Sequence, residues 1–431
     1  MKRFPLAFPL AAVIFLIVPL MKAQTPDQKS LPYTKKFFFG MQGQMVSHWP
    51  KVPVYSMRLH DTHTGWVFLN PKPGVYDWAL LDRWIAAAQA NHTPLLYTFS
   101  QTPPWASSNP NDPTCKYGPG QCDPPNDLNA DGTGPNQHWR DFVTALAIHA
   151  AGPNKVRYWE MWNEPAMPGH WTGTAAQLVR MAKDAREIIL AVDPTAKMIS
   201  PPDLFNGAFF KKAWKEYADA GGLNYADILA VHGAVRKYPP QCGVYPEASD
   251  FVQMMEDFHV FVAQYGASNK PIWDTEADWG DTEQDCFNDP DLQVAYMGQL
   301  YMFHRSERVR RFYWYQYDNI HALVHVDTGK LTKAGTAYMQ IHDWLSETQM
   351  SPSCSANGTI WTCGLIADKG YKAETLWDTS QTCNNGHCQT WNYKVDPQFT
   401  EYRDLDGNTI PISNHEVPIG AKPILIENKT R

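Results

Sequence analysis

Eight short runs rich in β-branched and aromatic residues, at 36–40, 54–60, 94–100, 156–162, 197–201, 228–232, 271–275 and 311–316, alternate with stretches whose apolar residues recur with helical period. The helical stretches fall at 78–91, 137–152, 174–192, 207–220, 249–265, 289–308 and 334–346. Alternation of this kind leaves few folds open, because parallel strands need a crossover and the crossover takes one hand. Eight repeats predict an α/β chain closed as a (β/α)8 barrel over residues 34–346. Local signals agree with this register. Thr174 and Gln177 make a capping box ahead of 174–192, and Asp77 stands where the helix at 78–91 wants an N-cap.

After Ser346 the texture changes to short strand-like pieces divided by Gly, Asn, Asp and Pro, which predicts a small all-β, sandwich-like domain over 350–431. Residues 401–408 supply a turn, and 410–412 and 423–426 read as closing strands. A piece of this size is marginal alone, so residues 24–33 are a candidate additional strand. At the other end, Lys2 and Arg3 precede an apolar stretch over 4–21 with Ala23-Gln24 as a cleavage point, the pattern of a secretory signal at 1–23. A retained anchor is the competing reading, and Pro5, Pro9 and Pro19 weigh against it. The expectation is a secreted or periplasmic protein with no stable membrane association once the signal is removed.

Eight cysteines in an exported chain favour disulfides. Short loops close at the lowest entropic cost, so the expected pairs are Cys115–Cys122, Cys354–Cys363, Cys383–Cys388 and, from the remainder, Cys242–Cys286. Zinc is disfavoured, since no second Cys-x-x-Cys or His pair stands at ligand spacing. The net charge of −7 comes without a basic stripe, which argues against nucleic acid as a partner. The irregular stretch 107–136 follows the third strand and carries Cys115 and Cys122, so it reads as an ordered lid or cleft wall. Within it, Asp127, Asn129, Asp131 and Gly132 copy the first half of a calcium loop. Position twelve is His138 rather than Glu, and an Asx-rich turn is the default reading.

The chemistry sits at two strand ends. Trp162-Asn163-Glu164-Pro165 closes the fourth run and Glu276 closes the seventh. An acetal is stable at neutral pH, so its hydrolysis needs one group to protonate the leaving oxygen and another to stabilise positive charge at the anomeric carbon. Two carboxyl groups fill both roles if their surroundings push their pKa values apart.

The string from Tyr158 to Pro165 resembles the fourth-strand motif of clan A retaining glycoside hydrolases, and Pro271-Ile-Trp-Asp-Thr-Glu276 resembles their seventh-strand nucleophile site. Within the clan, Tyr76-Asp77-Trp78, Leu81-Asp82 and Thr102-Pro-Pro-Trp105 are most similar to family 39, which includes β-xylosidases and α-L-iduronidases. The likeness spans about 37–344. It implies Glu164 as general acid/base and Glu276 as nucleophile, with a covalent intermediate, net retention, a carbohydrate substrate and no cofactor or metal. It further implies Asn163 on the sugar 2-hydroxyl, Arg58 and His60 beside the nucleophile, and His232 and Trp314 lining the subsite of the cleaved sugar. Trp105 is then a candidate cleft wall, with a loop anchor as the simpler account, and Trp314 competes with Tyr313, Tyr315 and Tyr317 for the inward direction. Glu160, four residues deeper than Glu164, reads as a buried structural carboxylate, with Arg58 as its partner in the alternative to the Arg58–Glu276 pairing, and Asp274 and Asp278 as supporting or loop residues. The cysteine-bearing insertion after the third strand, the segment 242–245 and Ala277-Asp278-Trp279 depart from the family pattern and leave the sugar open. A carbohydrate-binding protein on a glycosidase-like barrel and a transglycosidase are the alternative functions.

Overall fold

The computed structural model describes residues 36–233, 247–279, 289–319, 322–384 and 386–428. The candidate signal at 1–23, residues 24–33 and the cysteines at 242 and 286 lie outside them. Eight parallel strands stand where the sequence pattern places them: β1 Phe39–Gln42, β2 Met57–Leu59, β3 Leu95–Thr98, β4 Val156–Glu160, β5 Lys197–Ile199, β6 Leu229–Val231, β7 Ile272–Ala277 and β8 Arg311–Trp314. They hydrogen-bond in the order β5-β4-β3-β2-β1-β8-β7-β6, and a parallel bridge between Ile199 and Ile228 joins the two ends into a barrel. The helices are α1 Trp66–Leu69, α2 Ala79–Ala90, α3 Gln137–Ala150, α4 Ala175–Val192, α5 Gly207–Asp219, α6 Asp250–Gln264, α7 Pro290–Ser306 and α8 Lys333–Leu345. The four-residue α1 is too short to carry a period and has no counterpart in the sequence pattern.

Alternation along the strands fills the barrel in layers. Arg311, Tyr158 and Trp273 occupy the end where the strands begin, and Leu96, Ile199, Ala230 and Tyr313 lie in the same interior cluster. On β1, a Cβ at Gly40 would stand 2.5 Å from the Tyr313 ring, so only glycine fits. Above this apolar filling the interior turns polar, with Gln42, Arg58, Thr98 and Glu160 all buried.

The capping box is present: Thr174 Oγ1 accepts from Gln177 N and the Gln177 side chain accepts from Thr174 N. Asp77 acts one residue early, since Trp78 takes the cap position and the Asp77 carboxylate accepts from Ala79 N. In the candidate calcium loop, Asp127 accepts from the first amides of α3, Gln137 N and His138 N, and Asp131 closes an Asx turn on Thr133.

Disulfides join Cys115–Cys122, Cys354–Cys363 and Cys383–Cys388. From Gln349 onward the described chain is all β. One antiparallel sheet combines Gln349–Met350, Ile360–Ala367, Tyr371–Asp378, Ile424–Glu427, Glu401–Arg403 and Thr409–Pro411, with Ser355–Asn357 beside it, and a two-stranded antiparallel ribbon pairs Thr390–Lys394 with Glu416–Gly420. Leu376, Ile424 and Ile426 pack toward the ribbon residues Val417 and Ile419. The opposite face meets α7, where Phe303 packs edge-on against Trp361 and Trp377 and Gln299 donates to Ala421 O. Pinned between barrel and sheet, α7 is buried from Asp291 to Ser306 on every face.

Candidate active site

The carboxyl groups of Glu164 and Glu276 come from opposite sides of the barrel mouth and meet there. One oxygen from each, together with a ring nitrogen of His232, lie within 4.8 Å of one another, and all three side chains are buried. Each glutamate is aimed by a local irregularity of its strand. On β7 the register with β8 slips between Asp274 and Ala277, so one extra residue stands in β7. The bulge breaks the alternation: Asp274 points outward to His304 Nε2 at 2.6 Å, whereas Glu276 turns inward to Arg58. Asp274 also braces the bulge, accepting from Glu276 N at 3.1 Å. On the other side, Trp162 and Glu164 both hold positive φ, 64° and 43°, and Glu164 N donates to Pro202 O on the neighbouring loop. Non-glycine residues keep such angles only where surroundings impose them.

Arg58 organises the polar floor. Its guanidinium donates to Glu276 Oε2 at 2.7 Å, Glu160 Oε2 at 2.8 Å, Gln42 Oε1 at 2.9 Å and Asn163 Oδ1 at 2.6 Å. Burial alone pulls such a cation toward neutrality, but Glu160 and Glu276 outweigh it and the arginine is held more firmly charged than usual. Both partners named from the sequence are therefore real, and Glu160, which also accepts from Thr98 Oγ1, is the deeper structural one. By accepting from Arg58 through its oxygen, Asn163 leaves its amide N–H groups to face other partners.

His232 Nδ1 lies 2.8 Å from Glu164 Oε1, and its Nε2, although buried, has no hydrogen-bond partner among the described residues. Burial lowers the proton affinity of this imidazole, yet the charges of Glu276 and Glu164 and the bond to Glu164 leave it raised. His60 behaves oppositely. Burial, and then the Arg58 charge, push it down to about 3, so it is a neutral ring beside the arginine.

Three site residues had no signal in the sequence. His170, in the loop after β4, brings Nδ1 to 3.7 Å from Glu164 Oε2. Tyr117, on the disulfide-closed loop, reaches His60 Nε2 at 3.3 Å and packs on the His170 ring. Asp203, after β5, accepts from Ala166 N, and its backbone carbonyl accepts from His232 N. Burial first, and then the nearby Glu164, push the Asp203 carboxyl up to about 7. All three sit on irregular loops, where neither period nor spacing predicts direction.

One expected position, Trp314, differs, and Trp105 takes the simpler of its two readings. Trp314 is fully buried on the helix side of β8, stacked on Tyr301 of α7, because Arg311 and Tyr313 take the inward parity. Tyr315, which shares that parity, reaches the mouth instead and donates to Asp61 Oδ2 at 3.3 Å. Trp105 donates to Asn70 O and packs edge-on against Trp66 and His138, the contacts of a loop anchor.

Glu164, His232 and Glu276 offer a ligand set for a cation, but Arg58 already occupies Glu276 Oε2 and His232 Nδ1 already faces Glu164. A metal placed among them would lie beside the Arg58 guanidinium charge. The arrangement suits proton transfer by one carboxyl and direct attack by the other.

No protein-family model and no curated protein matches this chain. Among solved structures it resembles a family 39 glycoside hydrolase from Bacteroides cellulosilyticus WH2, with TM-score 0.63 and 17% identity over 88% of this chain and 76% of that one. A monomeric beta-xylosidase from Caulobacter crescentus CB15 gives TM-score 0.63 and 14% identity over 93% and 97%. A family 39 enzyme from Xanthomonas axonopodis pv. citri gives 0.61 and 15% over 92% and 95%. At these identities the likeness is one of fold, a (β/α)8 barrel with an all-β C-terminal region, and that is the architecture this chain shares with family 39 glycoside hydrolases.

Proposed function

We propose that the protein is an exported retaining glycoside hydrolase that cleaves β-glycosidic bonds in oligo- or polysaccharides by double displacement. The observation that carries the reading is the meeting of Glu164 and Glu276 within 4.8 Å, one beside His232 and the other on Arg58. Retaining chemistry needs carboxyl groups about 5–5.5 Å apart, close enough for direct attack with no room for an intervening water. The likeness to a beta-xylosidase and to family 39 enzymes supports the same assignment. Three disulfides fit an oxidising compartment, and no described helix is long and apolar enough to cross a membrane.

In the first step Glu164 gives its proton to the departing oxygen while Glu276, held by Arg58, attacks the anomeric carbon. The glycosyl–Glu276 ester forms as the C–O bond to the leaving group breaks. Its charge consumed, Glu276 no longer repels an ionised Glu164, which takes a proton from water. The resulting attack restores Glu276 and releases the sugar with its configuration kept. Asn163, fixed by Arg58, contributes a hydrogen bond to the 2-hydroxyl that strengthens as charge develops.

The test is a panel of aryl β-glycosides, followed by trapping with the matching 2-deoxy-2-fluoro glycoside and peptide mass mapping. The expected result is one added glycosyl mass on the peptide holding Glu276, with none in Glu276→Gln. Turnover of equal rate in wild type, Glu164→Gln and Glu276→Gln overturns the assignment.

A further inference from the structure

Beside the paired glutamates, on the side of β1 to β3, lies a recess of about 300 Å³ bordered by Gln44, His60, Asp61, Gln101 and Tyr117. Its polar groups are built in at some cost. Asp61, His63 and Gln101, all on its wall, hold φ of 57°, 54° and 63°, a region that disfavours side-chain-bearing residues. Strain of this kind persists where a side chain must be aimed. The Asp61 carboxylate is a quarter exposed, and its contacts are long: Tyr315 Oη at 3.3 Å and His60 Nε2 at 3.4 Å. A carboxylate offers about four acceptor positions, so this one has capacity left for incoming donors.

The opposite wall is rigid. The Cys115–Cys122 loop is tied to the loop after β4 by Lys116 N to Gly169 O and Thr172 N to Cys122 O. Gly169, with φ 78°, lets these loops touch, since a Cβ there would stand 2.6 Å from Thr114 O. The tie holds Tyr117 against both His60 and His170. Burial, followed by the charges of Asp61, Glu164 and Glu276, raises the proton affinity of the Tyr117 phenol, so its hydroxyl stays protonated. Pro165 and Ala166, next in chain to Glu164, line a separate recess with Trp171 and Asp203, whereas the Asp61 recess is joined to Glu164 through His60, Tyr117 and His170.

We infer that Asp61 is a specificity-determining residue, its carboxylate accepting a vicinal pair of hydroxyls from the glycone, with Tyr117 as the wall that holds the sugar against it. This rests on the glycosidase reading above and adds to it a substrate class: glycosides whose glycone leaves that hydroxyl pair free and unbranched.

The experiment compares wild type and Asp61→Asn with a cleaved aryl glycoside and its 3-deoxy and 4-deoxy analogues. Asn tolerates the left-handed backbone that Asp61 adopts, so the loop keeps its shape, and thermal melting checks this. The expected result is a kcat/KM loss of about 10- to 100-fold in Asp61→Asn, the range for a lost hydrogen bond to a charged group. One deoxy analogue should lose as much in wild type yet little further in the variant. Tyr117→Phe should lose less than Tyr117→Gly, since the ring and not only the hydroxyl forms the wall. Independent, multiplicative losses for Asp61→Asn and both deoxy analogues overturn the inference while leaving the glycosidase reading intact. A wild type that turns over no glycoside overturns both.

Discussion

Two arginines are buried inside the same barrel and are kept there by opposite means. Arg58, at the mouth, is saturated by carboxylates and amides from β1, β4 and β7. Arg311, where the strands begin, has no carboxylate partner among the described residues. It donates to Phe37 O at 2.7 Å and lies over the rings of Trp273 and Tyr158, 4.2 and 4.8 Å from their centroids. A charge held by charges places those partners in defined states, so it can serve chemistry. A charge held by π faces and a carbonyl only fills space. The comparison assigns function to one end of the barrel and stability to the other, as the architecture expects.

The sharpest way to break this division is at the carboxylates themselves. Glu276→Gln should lower kcat by about 10^4-fold or more, and Glu164→Gln by about 10^2- to 10^4-fold, least for aryl leaving groups that need no proton. Steady-state kinetics across leaving groups of different acidity reads both. Next come the arginines. Arg58→Met strands Glu160 and Glu276 without their cation and should cost about 3–5 kcal/mol of stability along with activity. Arg311→Met should cost about 1–3 kcal/mol and leave kcat unchanged in the folded fraction. Denaturant melts paired with kinetics check this, and equal catalytic losses would erase the distinction.

A smaller effect separates the mouth histidine whose proton affinity is lowered, His60, from the one whose affinity is raised, His232. His60 titrates near 3 in the fold against an ordinary 6.5, so above pH 6.5 both states are neutral and it contributes no pH dependence. As pH falls below 6.5 the unfolded chain takes up a proton that the fold refuses, and stability drops by up to about 1.4 kcal/mol per pH unit toward pH 3. His60→Gln should flatten that part of the stability curve in melts from pH 7 to 4. The least effect concerns Asp203, whose carboxyl is pushed up to about 7 by burial and by Glu164. Above pH 7, where Asp203 is ionised, its charge opposes ionisation of Glu164, so Asp203→Asn should move the alkaline limb of the kcat/KM profile acidward. An unmoved limb would separate Asp203 from the proton chemistry.

Several of these residues were legible before the fold was known, and others were not. Periodicity located all eight barrel strands, because alternation and strand–helix rhythm are consequences of local geometry. Arg58 was visible at a strand end, the resemblance placed it beside Glu276, and Glu160 was its alternative partner; the structure has it bonded to both. Trp314 was misread because a strand offers two faces one residue apart, and only packing against Tyr301 shows which one it takes. Tyr117, His170 and Asp203 sit on loops, where the chain path depends on contacts such as Lys116 with Gly169 rather than on sequence rhythm.

By itself, then, the sequence determined the repeat of strands and helices, the all-β tail, the three local disulfides and the acidic strand ends. These follow from side-chain period and from the low entropy of short loop closure. Only the tertiary structure decided that Glu276 faces inward, because a bulge in β7 reverses the alternation that would have sent it outward beside Asp274. It alone brought the disulfide loop to Asp61 and His60, since contacts between distant loops are fixed by the closed barrel beneath them and not by any local preference.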